Sequence, residues 1–300
     1  MQSSDTRCGF IAILGAPNVG KSTLLNRIVG AKVSIVSPKV QTTRTRVLGI
    51  AIEGNAQLIF IDTPGIFAPR RRLDRAMVTE AWSGVGDADR ILLLVDSERG
   101  FDTNTKAIID RMAGSNQKTD LVLNKVDLVQ KTDLLSLTLQ LNETGICNEI
   151  FMISAEKGNG VVDLVDYLRD SVKEGPWLFP EDQISDMPMR LLAAEITREK
   201  IYLKLHKELP YATTVETENW QEEDDGSVRI EQVIFVERNS QKAIVLGKKG
   251  RQIKTIGSDA RAELEKLLEQ RVHLFLFVKV REKWGDDPAR YRDWGWDFNA

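Results

Sequence analysis

The 300-residue chain has two cysteines, Cys8 and Cys147, and two histidines, His206 and His273. Two distant cysteines make no disulfide framework, and a reducing, cytoplasmic compartment is the expectation. Two separated histidines with no Cys/His cluster exclude a zinc-finger type of site. No apolar run reaches the ~18 residues a membrane-spanning helix needs. Met1-Gln2-Ser3-Ser4-Asp5 lacks the charged-then-apolar pattern of a secretory signal, so none is expected. Repeats and low-complexity tracts are absent as well. The formal net charge is only -3, which excludes a generally basic nucleic-acid protein, so any such binding must be local. The chain does have a 42% hydrophobic content and a length that suits two ordinary globular domains.

Gly15-Ala16-Pro17-Asn18-Val19-Gly20-Lys21-Ser22 fits G-x-x-x-x-G-K-[ST]. The strand-like run Phe10–Leu14 precedes it, and Thr23–Ile28 reads as a helix start. Strand, loop and helix in that order are what a phosphate-binding loop requires. Its glycines let successive N–H groups turn inward around a phosphate, and the helix start adds a favourable dipole. In such a loop Lys21 reaches the β- and γ-phosphates and Ser22 ligates Mg²⁺.

Later segments name the base. Leu121–Leu123 reads as a buried strand ending in Asn124-Lys125-Val126-Asp127, the N-K-x-D pattern of guanine-specific GTPases. The Asp127 carboxylate can accept from the guanine N1–H and 2-amino groups. Adenine has an acceptor at N1 and would leave the carboxylate unmatched. Asn124 is expected to tie this loop to the phosphate loop, with the Lys125 stem across the base. A strand at Glu149–Ile153 ends in Ser154-Ala155-Glu156, where the Ala155 N–H is placed to meet the guanine O6. Leu58–Ile61 ends in Asp62-Thr63-Pro64-Gly65, which supplies a second Mg²⁺ contact at Asp62 and a γ-phosphate contact at the Gly65 N–H.

Residues 37–46 are polar and carry Thr42 and Thr43. GTPases place here a threonine that senses Mg²⁺ and the γ-phosphate, and both residues are candidates. Ras-like enzymes follow the D-x-x-G glycine with a water-orienting glutamine, but here Ile66 stands in that place. Hydrolysis is therefore expected to be slow, or to have its water positioned by other groups. A reading in which the nucleotide is mainly structural also stays open. In several GTPases without that glutamine, an asparagine at the position of Asn18 helps hold K⁺, so potassium joins GTP/GDP and Mg²⁺ among the expected cofactors.

The pattern predicts an α/β nucleotide domain over 1–174, with a mostly parallel sheet and helices on both faces. A stiff connector over 175–188 carries Pro176 and Pro180. An α+β domain over 189–300 follows. It is expected to hold a long helix about 189–208, strands about 212–220 and 228–237, a short strand Lys242–Leu246, a helix about 257–269 and a last strand about 272–281. Gly247-Lys248-Lys249-Gly250 precedes the helix-like Arg251–Ile256. A G-x-x-G loop beside a helix start is how a KH domain clamps single-stranded nucleic acid. Arg251 and Lys254 extend the basic edge, and Ile253 faces the expected base groove.

Together the two halves resemble the Era family of bacterial GTPases. The matching segments are G-A-P-N-V-G-K-S, Q-T-T-R, D-T-P-G, N-K-V-D, S-A-E-K-G, F-P-E-D, E-L-P-Y and V-L-G-K-K-G-R-Q-I-K-T-I-G. Those before the connector are shared by many GTPases, and those after it are more specific. The resemblance implies a P-loop GTPase domain followed by a type II KH domain. It also implies a monomeric GTPase that binds the 3′ end of small-subunit ribosomal RNA, assists small-subunit assembly and associates peripherally with the inner face of the cell membrane. Departures lie at 70–86 and in the tail around Trp294-Gly295-Trp296.

Overall fold

The computed structural model describes residues 6–39, 43–44, 46–69, 71–114, 119–206, 209–288, 291, 296 and 298. The chain forms two compact units. Residues 6–34 and 43–186 make the first, while 35–39 group with 187 onward in the second.

In the first unit the apolar runs become β1 (Arg7–Gly15), β2 (Val47–Glu53), β3 (Ala56–Asp62), β4 (Arg90–Asp96), β5 (Thr119–Asn124) and β6 (Cys147–Met152). They form one sheet in the order β2-β3-β1-β4-β5-β6. Only the hairpin partner β2 runs antiparallel. Alternate residues of β3 enter different cores: Leu58 and Phe60 join one cluster, Ile59 and Ile61 another. A strand covered on both faces has to be apolar throughout, which is why these runs do not alternate with polar residues. The helices are α1 (Lys21–Val29), α2 (Arg72–Gly86), α3 (Thr103–Ala113), α4 (Lys131–Asn142) and α5 (Val161–Ser171). Strand order reverses at β1, flanked by β3 and β4, so a crevice opens at the carboxyl ends of the strands.

The connector is tied down as far as residue 186. The buried Gln57 side chain accepts from Leu178 N at 2.8 Å and Phe179 N at 3.0 Å, and donates to Phe179 O at 2.8 Å. Ser185 Oγ donates to Leu48 O at 2.8 Å, and Ile50 N to Ile184 O at 2.9 Å. Prolines limit the chain's alternatives, and these bonds select one of them.

The second unit holds α6 (Met189–Lys204), β7 (Thr213–Glu222), β8 (Val228–Val236), α7 (Asn239–Leu246), α8 (Arg251–Leu268) and β9 (Val272–Val280). The sheet order is β7-β8-β9, with β8 and β9 parallel. Ile201 of α6, Ile234 of β8, Val245 of α7 and Ile256 of α8 meet in one core.

The expected strand Lys242–Leu246 is a helix instead. Ala243-Ile244-Val245-Leu246 has strand-like composition, but the N-terminal capping decides the outcome. The Gln241 side chain accepts from Glu237 N at 2.8 Å and Arg238 N at 3.0 Å, satisfying donors ahead of the first turn. The G-x-x-G segment therefore sits between two helices, which completes the order α-β-β-α-α-β. The following helix begins at Arg251 and not near 257. Gly257 lies inside it, where an added Cβ would stand 3.3 Å from Leu276 Cδ1. The glycine allows close packing on β9 and does not mark a helix start.

Candidate nucleotide site and nucleic-acid loop

The phosphate loop joins β1 to α1. Gly20 caps α1 in the left-handed conformation and no side chain caps that end. The first N–H groups of the helix are thus left for an anion. Lys21 is buried and its Nζ donates to Gly15 O at 3.0 Å and Ala16 O at 3.1 Å, curling the loop around its own ammonium. Burial pushes the ammonium down to about 8, with the Asp62 carboxylate opposing the shift.

Asp62 ends β3 and is fully buried. Its Oδ2 accepts from Ser22 Oγ at 2.7 Å, Ser34 Oγ at 2.8 Å and Thr43 Oγ1 at 3.4 Å. The Ser22 and Thr43 hydroxyls lie 3.0 Å apart. Asp62 Oδ1 is buried with no hydrogen-bond partner. Burial pushes the carboxyl up, while Lys21 and the three hydroxyls pull it down. Of the two threonines considered from the sequence, Thr43 is at this centre, and Thr42 lies outside the described residues. Ser34 was not singled out by any motif.

Gly65 backs onto the phosphate loop, and an added Cβ would stand 2.9 Å from Pro17 Cα. Ile66 N donates to Gly15 O at 3.1 Å, and the Ile66 side chain is buried in the main core. The side chain that replaces a water-orienting glutamine is thus spent on packing. Asn18 takes a left-handed φ of 66° and lies half-buried in the loop.

The Asn124 amide bridges two loops, donating to Val19 O at 2.7 Å and accepting from Ala155 N at 2.9 Å. Lys125 Nζ is 2.6 Å from Asp96 Oδ2, so the carboxylate at the end of β4 holds the lysine ammonium. Asp127 is exposed in a short 3₁₀ turn, Val126–Leu128. Ser154 is buried and its Oγ accepts from Lys157 N at 3.0 Å, while Glu156 is exposed. Arg27 of α1 donates to the carbonyls of Ala155 and Glu156, adding a second tie between phosphate loop helix and base loop. Thr23 is half-buried in the first turn of α1. Asp96 was legible in the sequence as another acid at a strand end. Ser34 and Arg27 carried no spacing signal.

Lys21 yields a pH prediction. An anion bound in the loop favours the charged lysine, whereas the free protein loses that proton near pH 8. Binding above that pH must take up a proton. The GDP phosphates are already ionised there. GDP affinity should therefore fall roughly tenfold between pH 7.5 and 9. Displacement of a fluorescent GDP analogue at the two pH values measures this, and a flat profile would show that Lys21 stays charged in the free protein over this range.

In the second unit Gly247 has φ 71°, and an added Cβ would stand 2.6 Å from Gln252 Cβ. Only glycine fits this turn. Lys249 is left-handed with φ 54°, and Gly250 caps the 18-residue α8 with no side-chain partner. Lys248, Lys249, Arg251 and Lys254 are exposed, so a helix start that no side chain caps lies inside a basic edge. Ile253 is half-buried against the core that contains Val245 and Ile256.

A family model described as 50S ribosome-binding GTPase matches residues 10–125, and one described as KH domain matches 208–285. GTPase Era of Brucella suis is 62% identical over 297 residues, covering 99% of this chain and 96% of that protein. GTPase Era of Rhizobium meliloti is 63% identical, covering 98% and 94%. Two solved structures have a TM-score of 0.92 at 40% identity, covering 97% of this chain and 99% of theirs. One is a variant of Aquifex aeolicus Era bound to GDP·AlF4⁻. The other is Era in complex with MgGDPNP and nucleotides 1506–1542 of 16S ribosomal RNA. Likeness at this level runs through the guanine-nucleotide loops and the basic G-x-x-G turn alike, and the chain belongs to the Era family of GTPases.

Proposed function

We propose that this chain binds and hydrolyses GTP as a switch, binds the 3′ region of small-subunit ribosomal RNA through its second unit, and so assists small-subunit assembly. The observation that carries the reading is the pairing, in one chain, of the Lys21–Asp62–Asn124 nucleotide frame with a G-x-x-G turn between two helices. A relative alike over 97% of the chain was solved with both a guanine nucleotide and that RNA. The 50S description belongs to a model spanning only residues 10–125 and speaks to the nucleotide chemistry, not to the partner of the KH unit.

The site residues take these roles. Gly15–Thr23 cradle the phosphates, with Lys21 on the β- and γ-phosphates. Asn124, Lys125, Asp127 and the Ser154–Glu156 loop hold guanine. Ser22, Thr43 and Asp62 offer hydroxyl and carboxylate oxygens, a hard donor set that suits Mg²⁺, and the orphaned Asp62 Oδ1 fits a cation. Bound Mg²⁺ neutralises charge on the phosphates. Gly65 brings its backbone to the γ-phosphate end of the loop. Ile66 orients no water, so we assign a K⁺ beside Asn18 as an added source of positive charge. Gly247, Lys248, Lys249, Gly250, Arg251 and Lys254 hold the RNA backbone, and Ile253 lines the base groove. The protein acts as a monomer, and its contact with the inner membrane face is peripheral. Among the described residues no helix is long and apolar enough to cross a membrane.

Single-turnover hydrolysis tests the reading. GTP should be cleaved only with Mg²⁺, faster in potassium than in sodium, and at a rate changed by an RNA of the 3′ region. ATP should be inert. Equal use of ATP and GTP would overturn the guanine assignment, and equal rates in the two salts would remove only the potassium.

A further inference from the structure

The Asp62 carboxylate gathers one hydroxyl more than the phosphate-binding motifs account for. Ser34 Oγ donates to Asp62 Oδ2 at 2.8 Å and is buried. Its backbone is clamped by Asn26, whose Oδ1 accepts from Val33 N at 2.9 Å and Ser34 N at 3.0 Å, and whose Nδ2 donates to Ser34 O at 2.7 Å. Asn26 lies four residues after Ser22 on α1, on the same face of that helix. One helix face thus reaches Asp62 twice, directly through Ser22 and indirectly through Asn26 and Ser34.

The place of Ser34 in the chain adds a second observation. It is the last residue of the first unit before 35–39 group with the second, and Thr43 is the first to return. Both residues put a hydroxyl on the same oxygen of Asp62, at 2.8 and 3.4 Å. Inside the second unit, Val36 N donates to Glu199 Oε1 at 2.9 Å, so the segment is held beyond Ser34 as well.

We infer that Ser34 is a positioning residue for the cation side of the nucleotide site. Its O–H fixes Asp62 Oδ2, leaves Oδ1 as the oxygen available to a ligand, and pins the point where the segment leading to Thr43 departs. The inference rests on the Mg²⁺-nucleotide reading above. Losing the hydroxyl should weaken Mg²⁺-dependent retention of nucleotide and leave the metal-free affinity unchanged.

The test uses the full chain loaded with a fluorescent GDP analogue, with release followed in Mg²⁺ and in EDTA. Ser34→Ala and Ser34→Cys both remove the strong donor but differ in volume. Both should release nucleotide roughly tenfold faster in Mg²⁺, the size expected for one hydrogen bond to a charged group. In EDTA both should stay within about twofold of wild type. Ser34→Thr keeps the hydroxyl and should restore slow release in Mg²⁺. Wild-type release by the Ala and Cys variants in Mg²⁺ overturns the inference. So does equal acceleration with and without Mg²⁺, which marks a merely structural serine. If wild type itself shows no Mg²⁺ effect, the underlying Mg²⁺ reading falls with it.

Discussion

Replacing Asp127 with asparagine should cost the protein roughly 10²–10⁴ in GTP affinity and turn its preference to xanthosine nucleotides. Guanine presents two donors, N1–H and the 2-amino group, to one carboxylate. Each hydrogen bond to a charged group contributes about 1.5–3 kcal/mol, and the asparagine amide can accept only one of the two while setting its own donor against the other. Xanthine carries an oxygen at C2, so the amide N–H finds an acceptor and the pair is restored. Asp127 is exposed on a short turn after β5, so the fold should not be affected. The Asn124 and Lys125 ties run to Val19, Ala155 and Asp96 and do not involve it. Displacement of a bound fluorescent nucleotide by GTP, XTP and ATP reads the result. A variant that still prefers GTP over XTP would take Asp127 off the base.

The candidate nucleotide site was legible because its parts are local in sequence. Four of the six strands lead into a candidate group: the phosphate loop after β1, Asp62 on β3, Asn124 on β5 and Ser154 after β6. A parallel sheet brings all those ends to one edge, so strand order in the chain sufficed to assemble them. Ser34 was not legible, since a lone serine in a loop has no spacing, and its partner Asp62 lies 28 residues away. The role of Ile66 was half legible. Its inability to hold water could be read from the residue, but its burial in the core depends on how the loop after β3 packs. In the second unit α7 was misread because Ile244-Val245-Leu246 has strand composition. The capping residues Arg238-Asn239-Ser240-Gln241 did carry a helix signal, which the apolar run outweighed in a local reading. The basic turn after α7 survives that correction, because Gly247 and Gly250 fix its backbone whichever element precedes it.

That turn sets the last expectation. Lys248→Asp with Lys249→Asp should weaken binding to RNA of the small-subunit 3′ region by roughly two to three orders of magnitude at moderate salt. Non-specific complexes with six to ten phosphate contacts bind with about 0.9 kcal/mol per contact, so losing two costs about 20-fold, and reversing their sign roughly doubles that energy. The salt slope should fall by about 0.7 for each lysine. The loss should be nearly uniform across sequences under the proposed division of labour, in which these side chains meet phosphates and the Ile253 groove takes the bases. The change should not disturb the fold. Both lysines are exposed, and the left-handed backbone at residue 249, φ 54°, suits aspartate better than most residues. Hydrolysis of GTP without RNA should continue at the wild-type rate, since the nucleotide loops belong to the first unit. Filter binding at several salt concentrations, on the matched RNA and on a scrambled one, separates the possibilities. Unchanged affinity in the double variant would end the reading of this turn as a phosphate clamp. A loss confined to the matched RNA would move Lys248 and Lys249 from phosphate contact to base recognition.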